Sequence, residues 1–283
     1  PYPPPGKGRD AARVPFLVMS FVLGRAAREA GHDLVAYDTV GSTNAEAMAL
    51  GREGRAPVWV AARAQTDGRG RRGRTWSTER GNLAASFATV TAANPALAAT
   101  LGFVAGLALE QALRETAASL SPRAARPELK WPNDVIVDGQ KLAGILLEAD
   151  QFSDGRLAVV VGVGVNVVSA PEGLPYPATS LAARGDRTTA EELFQALADA
   201  FVDWLDAWEE GAGLPAIRKA WMARAAGLGS QVTIDMGTRV LKGRFESLDE
   251  SGRLVLRAPT GVATAVSAGD VYFGNAASVR VEG

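Results

Sequence analysis

The segment Thr66-Asp67-Gly68-Arg69-Gly70-Arg71-Arg72-Gly73-Arg74 sets four guanidiniums among glycines, between two apolar stretches. It has no apolar period and reads as a loop. Glycines let a backbone come close to a ligand and can present consecutive N–H groups to an anion. Arginine adds two-pronged contacts to carboxylate or phosphate. Crowded cations repel one another, so an anionic partner is expected. A solvated basic turn and an RNA-binding tract are the alternatives. The RNA reading is the weaker, because no aromatic residue interleaves the arginines and Trp76 follows them.

Two further constellations carry chemistry. Lys130-Trp131-Pro132-Asn133-Asp134 packs an ammonium, an indole, an amide and a carboxylate into one bend. Asp138-Gly139 is a favoured two-residue hairpin turn. The hairpin it closes brings Lys141 back toward Asn133 and Asp134. An ordinary hairpin with exposed polar residues is the plainer alternative. In Gly162-Val163-Gly164-Val165-Asn166, glycines alternate inside an apolar strand, which weakens it, so something bulky is expected to approach that face. Asn166 shares the glycines' face by period-two alternation. Tight sheet packing is the alternative.

Composition removes several other chemistries. There are no cysteines, which excludes disulfides, thiolate metal sites and a cysteine nucleophile. A single histidine, His32, cannot supply a multi-histidine metal site; it is expected to be a solvated turn residue. The formal net charge of −1 gives no overall attraction to nucleic acid. No run approaches the roughly 20 apolar residues of a membrane span. Lys7–Arg13 followed by Pro15–Leu23 has the outline of a signal peptide, but Arg25 argues for a retained first element ending in a helix before Gly31. Pro1–Gly8 is expected to be disordered.

The elements that must position these residues follow from periodicity. Val35–Asp38 is extended. Thr43 with Glu46 matches a capping box for a helix to Arg52. Val58–Ala62 and Leu83–Val90 are strand-like. Ala96–Leu120 reads as one long helix. Leu129–Trp131, Val135–Val137, Leu142–Leu147 and Leu157–Val168 are strands joined by short turns, which makes them antiparallel neighbours. Thr189 with Glu192 is a second capping box, for a helix through Trp208, and Leu214–Ala226 is a shorter helix. After Gly227, five short strands with tight turns suggest a small SH3-like barrel. The division expected is 1–30 for the tail and first element, 31–227 for a catalytic α/β domain, and 228–283 for the barrel.

In order, Gly41-Ser42-Thr43-Asn44, Gln65, the Gly/Arg loop, Trp76, Lys130–Asp134, Lys141-Leu142-Ala143-Gly144-Ile145 and Gly162–Asn166 resemble the biotin–protein ligase family. Each motif alone is weak; the ordered set is specific and spans about Asp38 to Leu181. The resemblance implies a central α/β domain of the class II aminoacyl-tRNA synthetase and biotin ligase type, with a largely antiparallel mixed sheet flanked by helices. It implies ATP and biotin as substrates, Mg2+ as cofactor, and a biotin carboxyl carrier protein, such as that of acetyl-CoA carboxylase, as acceptor. It assigns Ser42, Thr43, Asn44, Gln65, Gly68, Arg69, Gly70, Arg71, Lys141, Gly144 and Gly164 to biotin. Arg69, Arg71, Arg74, Trp76, Lys130, Asn133 and Asn166 go to ATP or the adenylate. Lys141 and Arg71 are the catalytic candidates, and Asp134 is the candidate magnesium ligand. The bifunctional members carry an N-terminal winged helix; here 41 residues precede Ser42. DNA binding is therefore not expected, nor is a membrane. A cytoplasmic location is expected, and homodimerisation is left open.

The chemistry implied brings a carboxylate against the α-phosphate of ATP. Both are anions, so charge must be cancelled before attack; Lys141, Arg71 and magnesium suit that task. The mixed anhydride formed is sensitive to water, which a glycine-hinged loop would exclude. A neutral ureido ring needs hydroxyl and amide partners such as Ser42, Thr43 and Gln65. A lipoate ligase would not need that polar set, and an octanoyltransferase is expected to use a cysteine.

Overall fold

The structure is a computed structural model that describes residues 20–120 and 126–273. The expectations for Pro1–Gly8 and Lys7–Arg13 lie outside the described residues. A seven-stranded sheet runs β1 (Asp33–Tyr37), β2 (Val58–Ala62), β3 (Leu83–Thr91), β7 (Leu157–Val165), β6 (Gln140–Gln151), β5 (Asp134–Val137), β4 (Glu128–Lys130). Only the β1–β2 pair is parallel; the remaining pairs are antiparallel, as the short connections require.

Strand alternation splits this sheet into two chemistries. On one face Trp59, Phe87, Val161, Val163, Ala143 and Ile145 are buried beneath α4 (Leu101–Thr116) and α5 (Ala190–Trp208). Trp59 sits at the centre, with ring centroids of Phe87, Phe201 and Phe194 at 5.0, 5.3 and 5.6 Å. The opposite face meets α2 (Thr43–Arg52) through a smaller cluster of Ala47, Val58, Val60, Ala88 and Val160. Beyond α2 this second face is floored by small residues. Ala84 lies beside Gly164, Gly164 beside Gly144, Gly144 beside Asp134 and Asp134 beside Lys130, a single row crossing five strands.

Several local expectations are corrected by tertiary contacts. His32 is buried, not solvated: its Nδ1 accepts from Trp59 Nε1 at 3.2 Å and its ring lies 4.9 Å from that of Phe87. Helix α2 is capped by Ser42, whose hydroxyl accepts from Ala45 N. Thr43 cannot serve as the cap because its N–H and hydroxyl are turned to Gln65. The long helix breaks into α3 (Pro95–Ala98), α4 and a short 3-10 turn at Ala118–Leu120. At the first break the Thr100 hydroxyl donates to Leu97 O and accepts from Trp208 Nε1, which takes that carbonyl out of a continuous helix. Helix α6 (Leu214–Met222) stops short of Ala226, because the backbone of Arg224 and Ala226 pairs with Leu129 instead. Strand β7 ends at Val165; beyond it the N–H groups of Val167, Val168 and Ser169 converge on Asn82 Oδ1. The Thr189–Glu192 capping box forms as expected.

The first helix, α1 (Arg25–Glu29), ends just before Gly31 and is docked on α5 by Asp199, which accepts from Ala27 N. By length and composition Pro95–Thr116 could cross a membrane, although most of its apolar stretch is buried inside the fold, chiefly against α5. The C-terminal part is an antiparallel sheet of β8 (Gln231–Asp235), β9 (Val240–Leu248), β10 (Leu254–Arg257), β11 (Ala263–Val266) and β12 (Asp270–Phe273), in the order β11-β10-β9-β8-β12. This is the small SH3-like unit expected after Gly227. It is joined to the larger sheet by Trp131 Nε1, which donates to Gly252 O at 3.2 Å.

Candidate active site

A cavity opens over the small-residue floor. It is walled by the first turn of α2, by the Gly/Arg loop and by Asp270 of β12. Of the residues singled out from sequence, Ser42, Thr43, Asn44, Gln65, Arg69, Gly70, Arg71, Arg74, Trp76, Asn133, Asp134, Lys141, Gly144 and Gly164 border it. Gly68, Lys130 and Asn166 do not. A side chain at Gly68 would overlap the Trp76 carbonyl, so this glycine serves the loop's own crossing. The Asn166 amide is buried and donates to Thr179 O at 3.1 Å. Strand β7 has ended by then, so the alternation that put Asn166 beside the glycines no longer applies. Lys130 lines an adjoining pocket, with Nζ 5.9 and 5.5 Å from the ring centroids of Tyr272 and Phe273.

Lys141 reaches the cavity because of an irregularity. Val135 pairs with Ala143 but Ile136 with Lys141, so Leu142 bulges out of the β5–β6 ladder. A bulge re-aims the side chains beyond it. Without it, Lys141 would alternate onto the core face, opposite to Gly144. With it, Lys141 Nζ lies 2.8 Å from Asp134 Oδ1 and 5.5 Å from the ring centroids of both Trp76 and Tyr176. The glycines of β6 and β7 make room for that indole. A Cβ on Gly164 would overlap Trp76, and one on Gly144 would stand 3.1 Å from it.

The loop folds on itself, with Gly70 N donating to Arg74 O and Trp76 N to Gly68 O. Its four guanidiniums are each held by another part of the chain. Arg69 pairs with Glu148 at 3.6 Å, Arg71 donates to Asn133 Oδ1 at 2.8 Å, and Arg72 and Arg74 converge on Asp270 at 3.4 and 2.7 Å. Charge at the cavity stays unbalanced: Arg69, Arg71, Arg74 and Lys141 border it with the carboxylates of Asp134 and Asp270, while Glu148, the partner of Arg69, stands behind the wall. Burial lowers the Arg71 pKa from its ordinary value, Arg72 and Arg74 add to this, and Asp270 and Asp134 oppose it. Burial likewise lowers Lys130, with Asp134 and Asp270 opposing and Lys141 adding. Arg74 moves the other way, raised mainly by its hydrogen bond to Asp270. A surplus of cations around one cavity favours an anionic occupant.

The polar wall opposite is built from α2, Gln65 and β3. Thr43 N donates to Gln65 Oε1 at 2.8 Å, and Gln65 Nε2 donates to Thr78 Oγ1 at 3.0 Å. Tyr176 and Asp270 also border the cavity, and Ser86 and Glu148 stand behind its wall against Asn44; none of the four is singled out by the sequence. Ser86 and Glu148 carried a signal, since period-two alternation places them on the floor side of their strands. Asp270 carried none, because a separate sheet delivers it. Among the described residues no group of three or more His, Cys, Asp or Glu side chains could hold a metal ion by itself.

Residues 42–166 match the Biotin/lipoate A/B protein ligase family and residues 227–274 match the Biotin protein ligase C terminal domain. A biotin--[acetyl-CoA-carboxylase] ligase of Paracoccus denitrificans is 42% identical over 239 residues, covering 82% of this chain and 97% of its own. The Mycobacterium tuberculosis protein of that name is 36% identical, over 84% of this chain and 87% of its own. Among solved structures, a biotin protein ligase from Aquifex aeolicus in complex with biotin and ATP superposes with a TM-score of 0.70 at 26% identity. It covers 86% of this chain and 99% of that one.

Proposed function

Because the chain belongs to the biotin–protein ligase family, we propose that it activates biotin with ATP to biotinyl-5'-AMP and then transfers biotin to a lysine of a biotin carboxyl carrier protein. The observation that carries this reading is the shared cavity: Lys141, Arg71 and Arg74 face a polar wall of Ser42, Thr43 and Gln65 across one space. Cations on one side meet the two anionic reactants. Hydroxyl and amide groups on the other meet a neutral polar ring.

The biotin carboxylate attacks the α-phosphorus, forming the mixed anhydride and releasing pyrophosphate. Lys141 and Arg71 offset the repulsion between carboxylate and phosphate and hold both in line. Both cations are pre-placed, Lys141 by Asp134 and Arg71 by Asn133, so little reorganisation is needed as charge builds. Trp76, on its glycine seat beside Lys141, offers a flat apolar face to the nucleotide base. The loop, tethered through its arginines, covers the anhydride against water. In the second half-reaction the acceptor lysine's neutral amine attacks the acyl carbon and AMP leaves. A carrier protein of acetyl-CoA carboxylase suits this step, as the name of the Paracoccus relative suggests. Magnesium fits the donor set as an ion arriving with the nucleotide, because Mg2+ takes one or two carboxylates plus substrate phosphates and does not need a protein cage. Asp134 would hold it, and it would supply further charge neutralisation at the phosphates.

Pyrophosphate release tests the reading. With ATP, release should depend on biotin and not on lipoate. Release driven by lipoate alone would move the protein to the lipoate branch of the family. Steep salt-dependent binding of RNA or DNA, without any biotin-dependent release, would make the Gly/Arg loop a nucleic-acid contact instead.

A further inference from the structure

Asn82, buried just before β3, lies outside the lining of the cavity. Its side-chain oxygen accepts three successive N–H groups, those of Val167, Val168 and Ser169, at 2.8, 2.9 and 3.2 Å. Its Nδ2 donates to Ser169 O at 2.9 Å. One side chain thus fixes the turn by which the chain leaves β7. The loop that starts there comes back alongside its own beginning. Leu181 N donates to Asn166 O at 3.1 Å and Ala182 N to Val167 O at 2.8 Å. Asn166 Nδ2 donates to Thr179 O, which ties in the stretch before them.

That stretch, Pro177–Thr179, runs parallel to the chain at Lys141. Lys141 N donates to Pro177 O and Thr179 N donates to Lys141 O, both at 2.9 Å. Asn166 N donates to Leu142 O at 3.0 Å. These contacts fall on the β6 bulge. A bulge takes main-chain groups out of the regular ladder, and such groups must find partners elsewhere. Strand β7 cannot provide them, because its pairing with β6 begins only at Ala143, opposite Val165. The loop provides them instead, and it also sets the Tyr176 ring 5.5 Å from Lys141 Nζ. The register shift that turns Lys141 into the cavity is therefore held from the loop side, and Asn82 holds the loop.

We infer that Asn82 is a positioning residue for Lys141: by fixing the exit from β7 it holds the loop that locks the β6 bulge, and so keeps the ammonium aimed at the reacting groups. It acts through the backbone and not on either substrate. The inference rests on the proposed adenylation and adds to it a residue outside the cavity. Without the Asn82 oxygen, three N–H groups lose their acceptor and the exit turn loosens. The bulge is then free to migrate along β6, and Lys141 loses its fixed aim. A misplacement of about 1 Å at a reacting group can cost on the order of 10²-fold in rate.

Single-turnover formation of biotinyl-AMP by the full chain tests this in a double-mutant cycle. Asn82→Ala should lower the rate about tenfold or more. Asn82→Asp keeps an oxygen for the three N–H groups and should restore most of the loss. Ser169→Ala removes a hydroxyl from the same turn but no acceptor of those groups, and should stay within about twofold of wild type. In the Lys141→Ala background, Asn82→Ala should change the rate by less than about twofold, because the group it positions is gone. Should Asn82→Ala not fold, Asn82→Ser, whose shorter side chain cannot reach all three N–H groups, replaces it in the same cycle. A wild-type rate in the folded variant overturns the inference. So does an equal loss in Asn82→Asp or Ser169→Ala, or a loss that persists undiminished without Lys141. If the wild-type protein forms no biotinyl-AMP from biotin and ATP, the proposed function fails instead.

Discussion

Gly164 shows how a missing side chain can determine a site. Its hydrogen leaves space for the Trp76 indole, which in turn lies beside Lys141. Gly164→Ala forces the indole off the floor, and overpacking of this kind costs about 1–3 kcal/mol. Biotin-dependent pyrophosphate release by this variant should fall about tenfold or more, and an unchanged rate would mean that the indole's seat is immaterial. His32 makes a residue-scale prediction of a different kind. Burial lowers its pKa below 6.5, against the pull of Asp206 and Asp199. The unfolded chain therefore binds this proton more readily than the native one. The stability tied to neutral His32 is complete above about pH 6.5 and is lost as pH falls through and below that value. Denaturant midpoints measured between pH 7.5 and 5 should fall for wild type and fall less for His32→Gln. Parallel slopes would contradict this. The sequence places His32 in a solvated turn because its neighbours are turn-like, whereas its burial comes from Trp59 and Phe87, far along the chain.

Among the elements, what was legible in sequence followed from local chemistry. The Asp138-Gly139 turn formed as expected, with both residues at positive φ. The same holds for the Thr189–Glu192 box and the alternation in β3, β6 and β7. Thr189→Ala should destabilise the protein by about 1 kcal/mol, read as a shift of the denaturant midpoint at constant slope; no shift would mean that α5 is held by packing alone. Illegible features depended on partners distant in sequence. The Leu142 bulge is a matter of register against β5, yet it decides which face Lys141 occupies. The breaks before α4 and after α6 were set by Trp208 and by β4. The motifs thus announced the ingredients of the cavity, while the bulge and the strand ends decided which of them meet: Lys141 enters and Asn166 stays outside.

At the scale of the whole molecule, the two sheets share the site. Asp270 of the small sheet borders the cavity and holds Arg72 and Arg74, and the Trp131–Gly252 hydrogen bond fixes the small sheet in place. Trp131→Phe leaves the Gly252 carbonyl without its donor and should cost about 1–3 kcal/mol. Unfolding followed by two probes checks this: a lowered midpoint is expected, and an unchanged one would mean that this hydrogen bond adds nothing to the other contacts between the sheets. The central claim is that pre-placed cations cancel the repulsion between two negative reactants. Single-turnover formation of biotinyl-AMP by Lys141→Ala tests it most directly. The rate should drop on the order of 10²–10³-fold while the variant unfolds at nearly the wild-type midpoint; formation at the wild-type rate would contradict it.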